Sequence, residues 1–390
     1  MVTENYCKKT LFISVLICLF VFYSGFFEIP PRNPLKTIIP KEKINFISGE
    51  LISSPVKSSS QRFYIASLKV NYVQSVEKIK SSSSGIQQIF IPTEMAEVFM
   101  PGKLYSNVKK ENAFFYEKGG FYSFSGKMTN GIFFVEKCKS SFWKKTFWGK
   151  LNYFRALCRL ELKRMLFSWG SAGGLFLALI CGSREYIPID VQNAFKNSGL
   201  SHILALSGMH LSLFGGIATF FGKKLKNRNF EIILKTILLS FFIWFAGLSP
   251  SLLRAFICNI FIIAQVVSGA KKIDMVLILC FSFLFQAIIS PTDLFNVGFM
   301  FSYGALFGIL LTSEFIKKRI SFMFPHFLSD SLSSSVGAQF LTIPISVKTF
   351  GTFTPIGIFS TVIVSPLVTF FFYLGLNIRS WLNKGSSIVW

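Results

Sequence analysis

The chain has 390 residues, 51% apolar and 17% aromatic, with 48 phenylalanines and a mean hydropathy of +0.52. Soluble domains carry positive hydropathy only locally, so a disordered chain, a coiled coil and a soluble multidomain enzyme are excluded. The 41 Lys and Arg against 18 Asp and Glu give a net charge of +23, which on a membrane protein points to anionic partners: lipid headgroups, nucleic acid or acidic substrates. Of the 7 cysteines, only Cys138 lies in the polar part before residue 150, which argues against a disulfide framework.

The first apolar run covers residues 11–27 and follows Lys8 and Lys9. No small-residue cleavage site follows it, and Ile17 rather than a small residue precedes Cys18. The run therefore reads as an uncleaved anchor within 1–28, with its amino end in the cytoplasm.

Residues 29–140 then lie outside the cytoplasm. They hold a large excess of Lys and Arg over Glu and no Asp. Tyr64, Ala66, Leu68, Val70 and Tyr72 recur with period two, and 44–52, 85–92 and 131–136 read as further strands. Serine runs at 58–60 and 81–84 and the pair Gly119–Gly120 read as turns. A small all-β barrel, OB-like, is expected. Such barrels bind single strands through a cationic groove and stacking aromatics. Arg62, Lys69, Lys103, Lys109, Lys110 and Lys127 offer charge, and Phe63, Tyr64, Phe115, Tyr116 and Tyr122 offer rings, although half of those rings must fill the core.

Residues 141–169 form a junction. Arg155, Arg159 and Lys163 repeat every four positions beside an apolar stripe of Leu151, Phe154, Cys158, Leu162 and Met165. This predicts a basic amphipathic helix at the membrane surface, touching lipid headgroups or substrate, with Trp143, Trp148 and Trp169 as interfacial anchors.

Residues 170–390 carry the remaining spans, at 201–221, 231–248, 252–269, 274–290, 296–313, 333–349 and 356–376. Each approaches the ~20 residues that cross a bilayer core. Basic loops alternate with non-basic ones, so eight spans place every basic loop and both termini inside. The apolar stretch 170–182 is too short to cross and reads as re-entrant or interfacial. The expected fold is thus a polytopic α-helical membrane protein of about eight spans with an inserted β domain.

Two stretches carry chemistry. In 193–216, His202 and His210 lie inside an apolar run, and intramembrane ionisable groups are costly unless they face protein or water. On one continuous helix, His202, Ser207 and His210 would share an arc of about 140°. Gly208, Ser212 and Gly216 would form a small-residue packing stripe. Ser201 suits a helix cap, and the Ser207–Gly208 pair is a possible break. No Cys or carboxylate lies at ligand spacing nearby, so neither metal nor cofactor is expected. In 247–255, Ser249 and Pro250 read as N-cap and first residue of a helix, with Arg254 one turn in. An arginine at a helix start suits phosphate, the alternative being snorkelling to headgroups. Asp293 and Asn296, and a later span carrying Gln339, Pro344 and Lys348, are softer polar signals.

Residues 193–216 resemble the signature of the ComEC-type competence proteins, the inner-membrane DNA channels of bacterial transformation. GLSHILALSGMH matches that family's Gly-Leu-x-His-x-x-Ala-x-Ser-Gly-x-His pattern, and PSLLRA at 250–255 matches its next motif. The resemblance covers nearly the whole chain. Met209 replaces a more usual Leu, Thr361 stands where Asn is frequent, and nothing matches the nuclease domain that many members carry. It implies a non-enzymatic, multi-pass channel in the cytoplasmic membrane that passes single-stranded DNA, lined by His202, Ser207, Gly208, His210, Ser249, Pro250, Arg254 and Gln339. DNA would be gathered outside by Arg62, Lys69, Lys103, Lys127, Arg155, Arg159 and Lys163. The implied partners are DNA, membrane lipids, a cytoplasmic ATP-driven motor and an extracytoplasmic DNA receptor, with a homo-oligomer left open. Competing readings are a secondary transporter for small anions or lipid precursors, an intramembrane serine protease built on Ser207 and His210, and a scaffold that only docks partners.

Overall fold

The computed structural model describes residues 13–15, 35–37, 39–58, 61–75, 80–97, 115–247, 249–269 and 274–382. Most of the 11–27 run, and Lys103, Lys109 and Lys110, lie outside the described residues. The chain divides into two compact units. One comprises Pro30–Leu177 and Ser183–Ile187; the other comprises Met1–Ile29, Ala178–Gly182 and Pro188–Trp390.

The first unit is built on strands β1 (Ile44–Leu51), β2 (Val56–Lys57), β3 (Phe63–Ser75) and β4 (Lys80–Pro92), helix α1 (Thr93–Ala96), and strands β5 (Phe121–Thr129) and β6 (Ile132–Phe142). The sheet order is β1-β5-β6-β4-β3-β2, and β1 also pairs with β3. The sheet therefore closes into a barrel of five long strands, with β2 as a short addition on β3. All pairings are antiparallel except β4 with β6. Closure brings backbones into contact where glycine is required: a Cβ on Gly49 would sit 2.0 Å from the Lys69 carbonyl oxygen, and one on Gly126 would sit 1.9 Å from that of Phe134.

Alternation on β3 places Tyr64, Ala66, Leu68 and Val70 in the core, as their spacing predicts. A register shift between Val70 and Tyr72 then slips the phase, so Val73 rather than Tyr72 points inward. The serine run at 81–84 is not a turn but part of β4, where backbone pairing with β3 outweighs the poor strand propensity of serine. Strand β5 carries core residues Tyr122 and Phe124 and has no counterpart among the predicted strands.

Helix α2 (Phe147–Phe167) starts where the Thr146 hydroxyl accepts the Gly149 N–H at 3.2 Å. It buries Ala156, Arg159, Leu162 and Leu166. The basic arc expected at the surface thus faces the interior of this unit. Arg159 Nε donates to Glu117 Oε1 at 3.0 Å, Ser54 Oγ donates to Glu117 Oε2 at 2.7 Å, and Lys163 Nζ lies 3.0 Å from Glu185 Oε1 and 3.7 Å from Glu117 Oε1. Arg159 and Lys163 are therefore structural cations, because two carboxylates remote in sequence claim them. Arg155 is half-buried, whereas Phe147, Trp148, Phe154 and Met165 are exposed. Trp143 stacks on Phe115 at 6.0 Å, and Trp169 stacks on Phe176 at 6.3 Å.

Burial alone would push the Glu117 carboxyl up, but the charges of Arg159 and Lys163 and two hydrogen bonds hold it at about 2. Burial would likewise lower Lys163, and Glu185 and Glu117 reverse that, so its ammonium is stabilised. A depressed carboxyl contributes stability above its unfolded value of 4.5 and loses it as the pH falls toward 2. A raised lysine contributes below 10.5 and loses it only above that. Amide-exchange protection of β1–β6, corrected for intrinsic rates, should therefore fall between pH 4.5 and 2, with Glu117 supplying roughly 3 kcal/mol. Glu117→Gln should weaken protection at neutral pH and flatten the acid dependence.

Helix α3 (Gly170–Cys181) follows, with 12 residues, too short to cross a bilayer. The second unit contains α4 (Ile189–Asn197), α5 (Ser201–Leu204), α6 (Gly208–Leu225), α7 (Arg228–Ala246), α8 (Pro250–Val267), α9 (Met275–Ile289), α10 (Val297–Ile320), α11 (His326–Phe350) and α12 (Gly357–Leu382). Among the described residues, four helices are long and apolar enough to cross a membrane: α7, α8, α10 and α12. Helix α9 is apolar but has 15 residues. Helices α10 and α11 approach backbone to backbone: a Cβ on Gly308 would sit 2.2 Å from the Gly337 carbonyl oxygen. Val15 of the first apolar run packs on the cluster that joins α9 and α10.

Candidate functional site

The predicted helix over 201–221 is two helices. Ala205 and Ser207 are extended, with ψ 138° at Ala205 and φ −137°, ψ 176° at Ser207. The break is satisfied by a side chain reaching back from the next turn. His210 Nδ1 accepts the Ser207 main-chain N–H at 3.1 Å and lies 3.2 Å from Ser207 Oγ. A neutral imidazole accepting at Nδ1 carries its proton on Nε2. His210 is wholly buried. His202, by contrast, is exposed on α5, with Nδ1 3.2 Å from the Gly199 carbonyl oxygen. The shared arc of His202, Ser207 and His210 therefore does not form. The Ser207–His210 distance suits a nucleophile and base, but the same nitrogen caps α6, which the sequence spacing of three explains without catalysis.

The small-residue stripe also divides. Gly208 faces α8, Gly216 faces Tyr373 of α12, whose hydroxyl donates to the Leu213 carbonyl at 2.8 Å, and Ser212 is exposed.

Helix α8 starts as its sequence predicts: Ser249 Oγ accepts the Leu252 N–H at 3.3 Å and Pro250 is the first helical residue. Ser251 Oγ donates to the Leu206 carbonyl at 2.8 Å and ties this start to the extended linker before α6. Arg254, one turn on, is half-buried and turned toward α10. Its Nη1 donates to the Ser302 carbonyl of α10 at 2.6 Å, and its guanidinium carbon lies 5.9 Å from the Tyr303 ring centre. A Cβ on Gly208 would come within 3.1 Å of Nη2, so glycine leaves the guanidinium room at the first residue of α6. Nε is buried without a partner, and among the described residues no carboxylate pairs with Arg254. A helix start and a guanidinium are both positive, so the place where they meet favours an anion.

A buried polar chain adjoins it. Gln286 Nε2 donates to the Pro250 carbonyl at 3.2 Å and to Asp293 Oδ2 at 3.1 Å. Gln286 Oε1 accepts from the Tyr303 hydroxyl at 3.2 Å, and Ser282 Oγ lies 3.3 Å from that hydroxyl. Sequence reading passed over Ser282, Gln286 and Tyr303. Ser282 and Gln286 are four apart in an otherwise apolar helix, a signal that was open to view.

Gln339 sits elsewhere. Its Nε2 would lie 3.2 Å from a Cβ on Gly357, and Gly357 packs against Gly199, whose φ is +71°. Ser207, Gly208, His210, Ser249, Pro250 and Arg254 thus gather at one place, and His202 and Gln339 belong to a second cluster around Gly199.

On the barrel, Arg62, Lys69 and Lys127 are exposed, Lys127 at 3.7 Å from Glu136. Tyr64, Tyr116 and Tyr122 are core residues and offer no rings to a ligand. Half-buried Phe63 instead meets Phe90 and Phe134, with ring centres 6.0 and 5.7 Å away. That cluster was missed because Phe90 and Phe134 come from two further strands.

The sequence profile described as Competence protein matches residues 179–382, just over half of the chain. The chain belongs to the competence protein family. This competence protein is 25% identical over 199 residues to ComE operon protein 3 of Bacillus subtilis (strain 168). The match covers 50% of this chain and 25% of that relative's length, so this chain spans well under two thirds of it. No solved structure matches the chain. Family membership and the apolar helices make it a bacterial membrane protein.

The cap at Ser207 is testable on the purified competence protein. His210→Ala should lower unfolding stability in detergent by about 1–3 kcal/mol, from the lost acceptor and the space left behind. Ser207→Ala, which keeps the main-chain N–H, should cost less than half as much. Equal losses would remove His210 from the capping role.

Proposed function

We propose that this competence protein passes single-stranded DNA across the cytoplasmic membrane during transformation, as a channel subunit and not as an enzyme. One observation carries the reading: Arg254 is enclosed by helices, lies against the first residue of α6, and has no carboxylate partner among the described residues. A cation so placed is costly unless water or an anion reaches it, and phosphodiesters supply that anion. Eight spans with both termini inside, the layout that the loop charges favour, set the barrel outside the cytoplasm. There it collects DNA. Its strand order with one parallel pair supports the OB-like reading, and exposed Arg62, Lys69 and Lys127 with the Phe63–Phe90–Phe134 cluster suit a backbone-tracking, base-stacking surface.

Inward movement of a polyanion against a negative interior costs about 2.3 kcal/mol per charge per 100 mV. The chain carries no G-x-x-x-x-G-K-[ST] phosphate loop. A cytoplasmic ATP-driven motor, or capture of the entering strand, therefore draws it inward, and an extracytoplasmic receptor delivers it.

Arg254→Gln should reduce transformation at least tenfold while membrane protein level and DNA held at the outer surface stay unchanged. Arg254→Lys keeps the charge but loses the forked geometry and should fall between. Unchanged transformation in Arg254→Gln would refute the reading. Ser207→Ala should leave uptake within about twofold, since the cap rests on His210 Nδ1 and the main chain; lost uptake with normal protein levels would instead favour serine chemistry. Liposomes carrying the pure protein, offered DNA or small anions, separate a conduit from a small-anion transporter.

A further inference from the structure

Gln286 lies fully buried in α9 and touches three separate segments. Its amide nitrogen binds the first carbonyl of α8 at Pro250 and the Asp293 carboxylate in the turn Pro291–Phe295, and its amide oxygen takes the Tyr303 hydroxyl of α10. The bond to Tyr303 is buried and those to Pro250 and Asp293 are part-buried, and because Gln286 itself is fully buried, the loss of its partners leaves a buried amide unpaired. The Tyr303 ring is in turn one wall of the Arg254 guanidinium, at 5.9 Å, and the neighbouring residue Ser302 provides the carbonyl that holds Nη1 at 2.6 Å. Among the described residues, Gln286 makes no hydrogen bond to Arg254. It fixes the α8 residue from which Arg254 rises by one turn and the α10 residues against which Arg254 rests.

The geometry points to Gln286 as the positioning residue of the Arg254 anion site, acting through Tyr303 and the start of α8. The conclusion rests on the reading of Arg254 given above. Phosphodiester oxygens present several acceptors to a planar donor, so the site depends on the orientation of the guanidinium and not only on its charge. With the Tyr303 hydroxyl released, the ring can tilt and the guanidinium loses one wall while keeping its carbonyl bond. With Gln286 replaced, both the base of Arg254 and its wall are freed.

The test is a double-mutant cycle in transformable cells, using the full chain. Gln286→Leu, Tyr303→Phe, Arg254→Gln and the pairs Gln286→Leu/Arg254→Gln and Tyr303→Phe/Arg254→Gln are each scored for internalised DNA, surface-held DNA and membrane protein level. Tyr303→Phe alone should lower internalisation about tenfold, the order of a lost buried hydrogen bond, and Gln286→Leu, which loses three hydrogen bonds, at least as much, with surface-held DNA unchanged. Combined with Arg254→Gln, neither should lower it further, because residues acting through one group are non-additive. A merely structural role would multiply the two losses, and that result overturns the inference, as does unchanged internalisation in both single variants while Arg254→Gln is defective. If Arg254→Gln itself is normal, the underlying reading fails instead. Should Gln286→Leu lower the protein level, Tyr303→Phe, which keeps the ring and its volume, decides the question alone.

Discussion

A guanidinium held among helices with no carboxylate partner among the described residues is the constraint on which the membrane unit depends. Arg254 is anchored by one carbonyl of α10 and one aromatic face, and its remaining side is left to the start of α6. Glycine at 208 leaves the guanidinium room, since a Cβ there would come within 3.1 Å of Nη2 and the side chain would have to give by a few tenths of an ångström. The arrangement also needs α6 to begin at that residue, and so needs the extended linker at 205–207. The linker persists because His210 supplies an acceptor to the Ser207 N–H and because Ser251 donates to the Leu206 carbonyl. Motif residues far apart in sequence are thus explained by one electropositive place.

The barrel unit handles positive charge in the opposite way. Arg159 is buried and Lys163 nearly so, and Glu117 and Glu185 meet them at short range. Breaking such a pair leaves an uncompensated charge and is costly, so these cations serve the fold and are not free for a phosphate. The contrast between cations met by carboxylates and one that, among the described residues, is not separates structural basic residues from available ones more sharply than charge counting does. The charge left for a ligand on the barrel sits on exposed side chains such as Arg62 and Lys69.

Much of the fold was legible in the letters for plain reasons. Period two on β3 follows from the pleat, and Ser249–Pro250 starts α8 because a hydroxyl acceptor and a fixed φ suit a helix start. The phase slip after Val70 was hidden because a bulge is set by pairing with β4, not by local propensity. The break before α6 was only half visible: the Ser207–Gly208 pair hinted at it, but the acceptor that stabilises it is an imidazole from the following turn. The partners of Arg159 and Lys163 lay 42 and 22 positions away, at Glu117 and Glu185, beyond any helix-wheel argument. Gln286 could have been found, since one amide in an apolar helix must meet other polar groups.

The central claim is that water and anions reach Arg254 from the aqueous phase. Single Gly208→Cys, Ser251→Cys and Arg254→Cys variants, on a background lacking the native cysteines, can be treated in intact cells and in inverted membranes with a membrane-impermeant, negatively charged thiol reagent. The account predicts labelling at all three positions, faster with an anionic than with a cationic reagent at 208 and 251, where the guanidinium remains. Protection of all three from both faces, in protein that is folded and present at normal level, would contradict it.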